Sequence, residues 1–518
     1  MLVLHAHLPY VRHPEHEYFL EENWLYEAMA ETYIPLIDML ERLIDDGVDF
    51  GITLSVSPTL LAMLDDGLLR ERFIRHIERL IELSEKEIVR TKRDARLNPL
   101  ARMYNRNFKR TLRLFTKRYR KDLAGAIRGV AETARVELIT TSATHAYLPN
   151  LSSVPDAVNA QISIAVKDHA RRFGRRPQGL WLPECGYYEG LDGILKDSGL
   201  RYTFLETHGL LFGTPRPKRG VHRPVKSPAG LAVFARDEAS SRQVWCSKTG
   251  YPGDPDYRDF YRDIGFDLPL KYIGPYIHPD GHPGGIRVPT GIKYHRITGR
   301  ERKRVYVRER ALERARLHAT DFMAKKQSEA GALNSQYGFR PLMVAPYDAE
   351  LFGHWWHEGM DWLEHLLRGL SAQDIVRTIT GSEYLSKNRR LEVVRPSPSS
   401  WGRGGYGSTW CSESNNWALR HIHAAERAMK RLTGIKAAGL DPLGHRAFNQ
   451  AMRELLLMES SDWPFLIEYG TAPNYGERRL SGHIRNFSAI YGMIVKGEID
   501  EGFLSEAELR TRIFPKMP

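Results

Sequence analysis

Residues 2–9 read Leu2-Val3-Leu4-His5-Ala6-His7-Leu8-Pro9. A short apolar run halted by proline has the form of a buried strand. The two-residue period of a strand then puts His5 and His7 on one face. Moving outward, Met29, Tyr33, Ile37, Leu40 and Ile44 recur at helical spacing within Leu25–Ile44,. A second strand follows at Phe50–Val56 and stops at Ser57-Pro58. Further short apolar runs lie at Val136–Thr141, Gly179–Pro183, Tyr202–Leu205, Leu231–Phe234 and Leu342–Pro346. Amphipathic stretches such as Pro155–Phe173 and Tyr306–Lys326 separate several of them. Strand and helix alternating in this way specify an α/β protein with a parallel layer or barrel.

Two stretches break the alternation. Leu68–Ala134 is almost entirely helical in pattern, interrupted at Asn98-Pro99, and reads as an inserted hairpin,. Pro396-Ser397-Pro398-Ser399-Ser400 and the glycine-rich Trp401–Gly407 punctuate a boundary, beyond which Asn416–Leu432, His445–Ser460 and Glu477–Lys496 are helical,. The expected organisation is a catalytic body of residues 1–66 and 135–390, a basic hairpin of 67–134, and a helical domain of 391–518.

With 518 residues, 42% hydrophobic and 27% charged, the chain is ordinary for a globular protein, and disordered or collagen-like classes are excluded,. It has no apolar run long enough to span a membrane, and the opening residues lack the pattern of a secretory leader,. Three cysteines without a CxxC pair give neither a disulfide framework nor a zinc motif, so a reducing cytoplasm is the default location,. The net charge of +12 resides entirely in Lys86–Lys121, where fourteen Lys and Arg meet only Glu87 and Asp94. A solvated helical surface is the favoured reading of that stretch, with local polyanion binding as the rival. Neither a nucleic-acid nor a membrane partner is expected, and a monomer is the default state.

Parallel α/β folds collect their chemistry where strands end. The first strand delivers His5 and His7, and Val136–Thr141 runs into His145. Gly179–Pro183 ends in Trp181-Leu182-Pro183-Glu184-Cys185, and Leu342–Pro346 ends in Tyr347-Asp348-Ala349-Glu350-Leu351-Phe352-Gly353-His354-Trp355-Trp356. Two chemistries compete for these groups. His5, His7 and His145 have the residue types of a zinc hydrolase. Alternatively, Glu184 and Asp348 are the carboxyl pair of a retaining glycosidase, which requires them about 5–5.5 Å apart. Pyranose rings stack on indoles, and of 10 Trp several adjoin acids or glycines, among them Trp24, Trp245, Trp401 and Trp410. That surplus favours sugar over metal. Ion-pair acids and core indoles are the ordinary alternatives for the same residues.

Four blocks in order resemble glycoside hydrolase family 57: His5-Ala6-His7-Leu8-Pro9, Trp181–Cys185, Tyr347–Trp356 and Ser400-Trp401-Gly402-Arg403-Gly404-Gly405. The resemblance covers essentially the whole chain. It implies a (β/α)7 barrel with an inserted helical hairpin and a helical C-terminal domain, acting without metal or other cofactor on α-glucans such as amylose or a glycogen-like polysaccharide. Branching of α-1,4-glucan is the implied activity, with α-amylase or 4-α-glucanotransferase activity as the alternative. Glu184 is the implied nucleophile and Asp348 the acid/base. Arg236, Gly253, Trp401, Asp462 and Thr471 are the implied substrate contacts, with His5, His7, His145, Trp24, Trp245 and Trp410 around them. Thr471 stands where some branching members carry Gln. In the 206–230 segment, Arg219 stands where branching members usually place a lid tyrosine. An exposed Arg219 at the cleft mouth is therefore expected, and with it a shift from transfer towards hydrolysis.

Overall fold

The computed structural model describes residues 1–246, 249–277, 286–299, 303–437 and 439–515. Eight strands organise the body: β1 (Leu2–Ala6), β2 (Ile52–Val56), β3 (Val136–Ile139), β4 (Gly179–Leu180), β5 (Tyr202–Leu205), β6 (Val225–Lys226), β7 (Ala232–Ala235) and β8 (Ala345–Asp348). They form two four-stranded sheets, in the orders β3-β2-β1-β8 and β4-β5-β7-β6. Every pairing is parallel except β6 with β7. β1 sits between two parallel neighbours and is buried at all five positions. Burial on both faces explains why its sequence is apolar without alternation.

The expected closed barrel of seven regular strands meets a less regular sheet. At one seam, β3 and β4 touch only through the parallel bridge Thr140–Leu180, with the Trp181 N–H donating to the Thr140 carbonyl at 2.8 Å. Strand β4 is two residues long because Pro183 and the left-handed backbone of Glu184 stop it. At the other seam, the Asp237 N–H donates to the Val344 carbonyl at 2.8 Å. There the ladder is short for a chemical reason. The Ala345 N–H faces β1, donating to the Met1 carbonyl, so the next nitrogen faces the opposite side. That nitrogen belongs to Pro346, which has no hydrogen to give,. The last strand also runs later than its apolar pattern indicates, carrying through to Asp348 in register with His5.

Helices cover the sheets. The pattern at Leu25–Ile44 is realised as Glu22–Ala28, a π-turn at Met29–Tyr33, and Ile34–Asp45. Gly67–Arg90 and Leu97–Arg113 pack as a pair, whereas Leu123–Ala131 returns to β3. Several cations of the basic stretch are held in ion pairs: Lys109 with Glu85, Arg110 with Asp38, Arg118 with Glu41 and Lys121 with Glu71. The C-terminal helices Trp417–Ala437, Pro442–Met458 and Asp462–Tyr469 pack mainly on Pro473–Lys496, and Glu501–Arg510 packs on Pro442–Met458.

This helical part is tied to the body close to the β3 end. The Ser461 N–H donates to the His145 carbonyl at 3.0 Å, Ala146 bridges Ser460, and Gln161 Nε2 donates to Glu459 Oε2 at 2.7 Å. The loop after β8 is pressed equally closely onto the π-turn. Gly353 adopts φ +99°, and a Cβ there would lie 1.9 Å from the Glu31 carbonyl oxygen. Gly353→Ala is therefore expected to destabilise the fold by at least about 2 kcal/mol, combining left-handed strain with backbone collision. A lowered thermal midpoint in a circular-dichroism melt checks this, and an unchanged midpoint contradicts it.

Candidate active site

A cavity of about 580 Å³ opens where these strands end. The body contributes His5 from β1, His145 after β3, Glu184 after β4, Arg236 after β7 and Asp348 from β8. The residues beyond 391 contribute Trp401, Trp410 and Asp462.

Glu184 is the most constrained of these groups. Its backbone is left-handed at φ 59°, as are those of Cys185 (φ 51°) and His145 (φ 56°). Non-glycine residues seldom hold that conformation, which costs about 1–2 kcal/mol each and persists only where the surroundings enforce it. Here the Trp401 N–H donates to the Glu184 carbonyl at 2.8 Å. The carboxylate is gripped as well: Trp401 Nε1 donates to Oε2 at 2.8 Å and the Ser461 hydroxyl donates to Oε1 at 3.0 Å. Burial pushes the Glu184 carboxyl up to about 7, against these two hydrogen bonds, which favour its ionised form,.

Behind Ser461 runs a buried chain of hydrogen bonds. His145 Nδ1 lies 2.9 Å from Ser461 Oγ, His145 Nε2 lies 2.9 Å from His5 Nε2, and His5 Nδ1 lies 3.0 Å from Ser55 Oγ. An ionised carboxylate only accepts, so it sets the polarity of the whole chain. Ser461 donates to Glu184 and accepts from His145 Nδ1–H. His145 Nε2 accepts from His5 Nε2–H, and His5 Nδ1 accepts from Ser55. Both imidazoles are neutral in this arrangement. Burial and the neighbouring His7 hold both well below the usual histidine range, with His5 adding to the effect on His145.

His7 is the opposite case. Its ring stacks on His145 with centroids 3.8 Å apart, and its Nε2 lies 3.0 Å from Asp462 Oδ1. Burial alone lowers it, but Asp462, Glu350 and Glu184 raise it above the ordinary value. Glu350 accepts from the Tyr33 hydroxyl at 2.5 Å and from the His7 N–H at 3.1 Å, and burial lifts it to about 7. Asp348 is held well above the usual carboxylate range, first by burial and then by the negative charges of Glu350 and Glu184, with Arg236 opposing. The pair therefore divides. Glu184 has two donors on its oxygens, whereas burial and like charge favour the protonated form of Asp348,.

For the zinc alternative, His5 and His145 spend their facing nitrogens on each other. A metal on His5, His7 and His145 would have to exchange those bonds for coordination. In this cavity the groups whose ligand atoms converge, within 4.8 Å of one another, are instead His7, His145 and Asp462.

The aromatic walls are unequal. Trp401 stands edge-on to buried Trp181 at 5.4 Å, and the Arg236 guanidinium lies 5.7 Å over its ring. Arg236 itself is held by Glu206 at 2.7 Å and by Ser241 at 2.6 Å. Trp410 is buried and stacks on Tyr147 at 4.9 Å. Trp245 meets the half-exposed Trp355 at 6.0 Å. Three expected contacts lie elsewhere. Gly253 is in an exposed turn, Thr471 is exposed after the helix Asp462–Tyr469, and Trp24 packs edge-on to Tyr475 at 5.7 Å; none of them lines the cavity.

Arg219 is also displaced from its expected place. Its guanidinium lies 4.3 Å over the Phe339 ring, half-buried, and it does not line the cavity. A planar cation stacks readily on an aromatic face, and Phe339 lies too far along the sequence for the local pattern of loop residues to reveal it. Ser55, Phe465 and Tyr469 complete the site without having been singled out from sequence. Glu350 and Trp355 lie inside a quoted block, and Ser461 immediately precedes the expected contact Asp462. For Ser55, only the fold supplies the signal.

Comparisons with known proteins agree with this geometry. Residues 1–395 match the profile described as glycosyl hydrolase family 57, and residues 421–518 match that of the 1,4-α-glucan branching enzyme C-terminal region. The chain belongs to glycosyl hydrolase family 57. It is 34% identical to a 1,4-α-glucan branching enzyme of Thermococcus kodakarensis, over 99% of this chain and 76% of that protein. The fold superposes on an α-amylase of Thermotoga maritima with a TM-score of 0.92 and 41% identity, covering 100% of this chain and 97% of that one. It also superposes on a family 57 branching enzyme of Pyrococcus horikoshii with a TM-score of 0.88 and 34% identity, covering 99% and 94%.

The ion pair between His7 and Asp462 can be tested without any substrate. Asp462→Asn removes the charge that raises His7, so the His7 ring is expected to titrate at lower pH in the variant. Histidine ring resonances followed by NMR across pH check this, and an unmoved His7 titration contradicts it.

Proposed function

We propose that this protein is a retaining 1,4-α-glucan branching enzyme. On this reading Glu184 attacks the anomeric carbon and holds the cleaved chain covalently. Asp348 protonates the departing oxygen, then takes the proton from a sugar 6-hydroxyl as that oxygen attacks. The observation that carries the proposal is the unequal treatment of the two acids. Glu184 is immobilised by Trp401 and Ser461, whereas burial and like charge favour the protonated form of Asp348. Neutral His5 and His145 add no charge beside the nucleophile, and their fixed polarity keeps the Ser461 hydroxyl pointed at it. His7 and Asp462 are suited to hold sugar hydroxyls, and Trp401 and Trp410 to bound the ring. The match to a branching-enzyme C-terminal region and the full-length relatives support the choice of acceptor.

The two seams between the sheets, each bridged by a backbone hydrogen bond, support reading the seven parallel strands as an open, distorted (β/α)7 barrel. A glycogen-like substrate in the cytoplasm fits a chain with only three cysteines and no CxxC pair,. The 41% identity to the Thermotoga α-amylase favours a second reading, in which water is the main acceptor. Both readings share one glycosyl-enzyme. Incubation with amylose, counting new α-1,6 linkages against new reducing ends, separates them: branching requires the linkages to dominate. Dialysis against a chelator leaves the rate unchanged on either reading and abolishes it for a zinc enzyme.

Two further outcomes are expected. Glu184→Gln should retain the fold and lose at least about a hundredfold in kcat, since an amide is a poor nucleophile. A smaller loss removes Glu184 from that role. Ser461→Ala deletes one donor to the Glu184 carboxylate and so raises the carboxyl further. The acidic limb of the kcat/KM–pH profile should move to higher pH by about one unit, the scale of one hydrogen bond to a charged group. An unmoved limb contradicts the role of Ser461.

A further inference from the structure

Next to the reaction cleft lies a second cavity, of about 690 Å³. The two share Arg236, Trp245, Trp401 and Gly402 as a common wall, so they are neighbouring parts of one depression. The second cavity reaches neither Glu184 nor Asp348. Its far side is apolar and open: Phe212 is 56% exposed and Tyr406 63% exposed, with His208 edge-on to Tyr406 at 5.1 Å. Exposed rings grouped in one depression form an apolar patch of the kind that can serve as a binding surface,.

The segment that presents Tyr406 is fixed. Gly402, Gly404, Gly405 and Gly407 all have positive φ, and a Cβ at Gly405 would approach His208 to 2.8 Å. His208 Nε2 also contacts the Gly405 carbonyl at 2.8 Å. The lining also holds polar groups, with Glu206 and Arg236 paired at 2.7 Å and Ser241 bound to Arg236 at 2.6 Å.

We propose that this cavity is a remote binding arm for the α-glucan chain, continuous across Trp401 and Arg236 with the reaction cleft. A pyranose has apolar faces and a belt of hydroxyls. A lining that combines aromatic rings with a carboxylate, a guanidinium and a hydroxyl matches both. A protein partner would not need the opening into a sugar cleft that this cavity has. The inference rests on the α-glucan reading above and adds to it a length preference. Chains too short to pass the Trp401–Arg236 wall cannot use Phe212 and Tyr406, and longer chains gain from them.

The test compares kcat/KM on amylose with kcat/KM on a short maltooligosaccharide. In the Phe212→Ala/Tyr406→Ala variant the ratio of long to short is expected to fall about tenfold, the scale of two lost ring contacts. Tyr406→Phe keeps the ring and should keep the ratio. A thermal melt of each variant reports the fold. If the double variant keeps the wild-type ratio, or loses both rates equally, the arm is overturned while the α-glucan reading stands. If the wild-type protein acts on no α-glucan, both fall together.

Discussion

The structure depends on how one carboxylate is held. Glu184 follows the shortest strand of the sheet, in a backbone conformation that costs energy, and its oxygens are fixed by donors 217 and 277 residues further along the chain. Neither donor belongs to the α/β body. The segment carrying the indole is tied to the body by the Tyr187–Ser399 bridge, and the hydroxyl is brought in beside β3 through the His145–Ser461 backbone bond and the Gln161–Glu459 contact. The helical part is therefore a component of the site. A body folded without it would present a buried, strained acid lacking both partners.

The histidines show how one cluster supports two electrostatic states. His5 and His145 are kept neutral by burial and by sharing a single hydrogen between their facing nitrogens. His7, stacked on His145, is pulled towards the charged form by Asp462 and Glu350. Stacked imidazoles of opposite tendency give a graded field, in which positive charge is favoured beside Asp462 rather than along the hydrogen-bonded chain to Glu184.

Much of this was legible in the sequence. Short apolar runs marked seven strands, and the groups at their ends, His5, His7, His145, Glu184 and Asp348, do share one cavity. Local rules sufficed because strand ends in a parallel layer converge whatever the helices between them do. They failed where geometry depended on distant partners. The proline inside β8 was visible, but its gap in the ladder became meaningful only once the Ala345 N–H was seen to face β1. Arg219 looked like a loop residue at a cleft mouth, and Phe339 claimed it. Gly253 and Thr471, carried over by resemblance, are exposed and away from the cavity. The serines that complete the hydrogen-bonded chain have no periodicity to announce them.

The left-handed backbone at Glu184 bears on how the reaction could be dissected chemically. Replacing a nucleophilic carboxylate by a small residue opens room for an external anion, such as azide or formate, to act in its place. Alanine at φ 59° would keep the conformational penalty that the carboxylate's hydrogen bonds now offset, leaving the loop free to relax and close the vacancy,. Glycine carries no such penalty there. The cavity left by Glu184→Gly would keep its shape, with the Trp401 indole and the Ser461 hydroxyl still aimed at the space an incoming anion would fill.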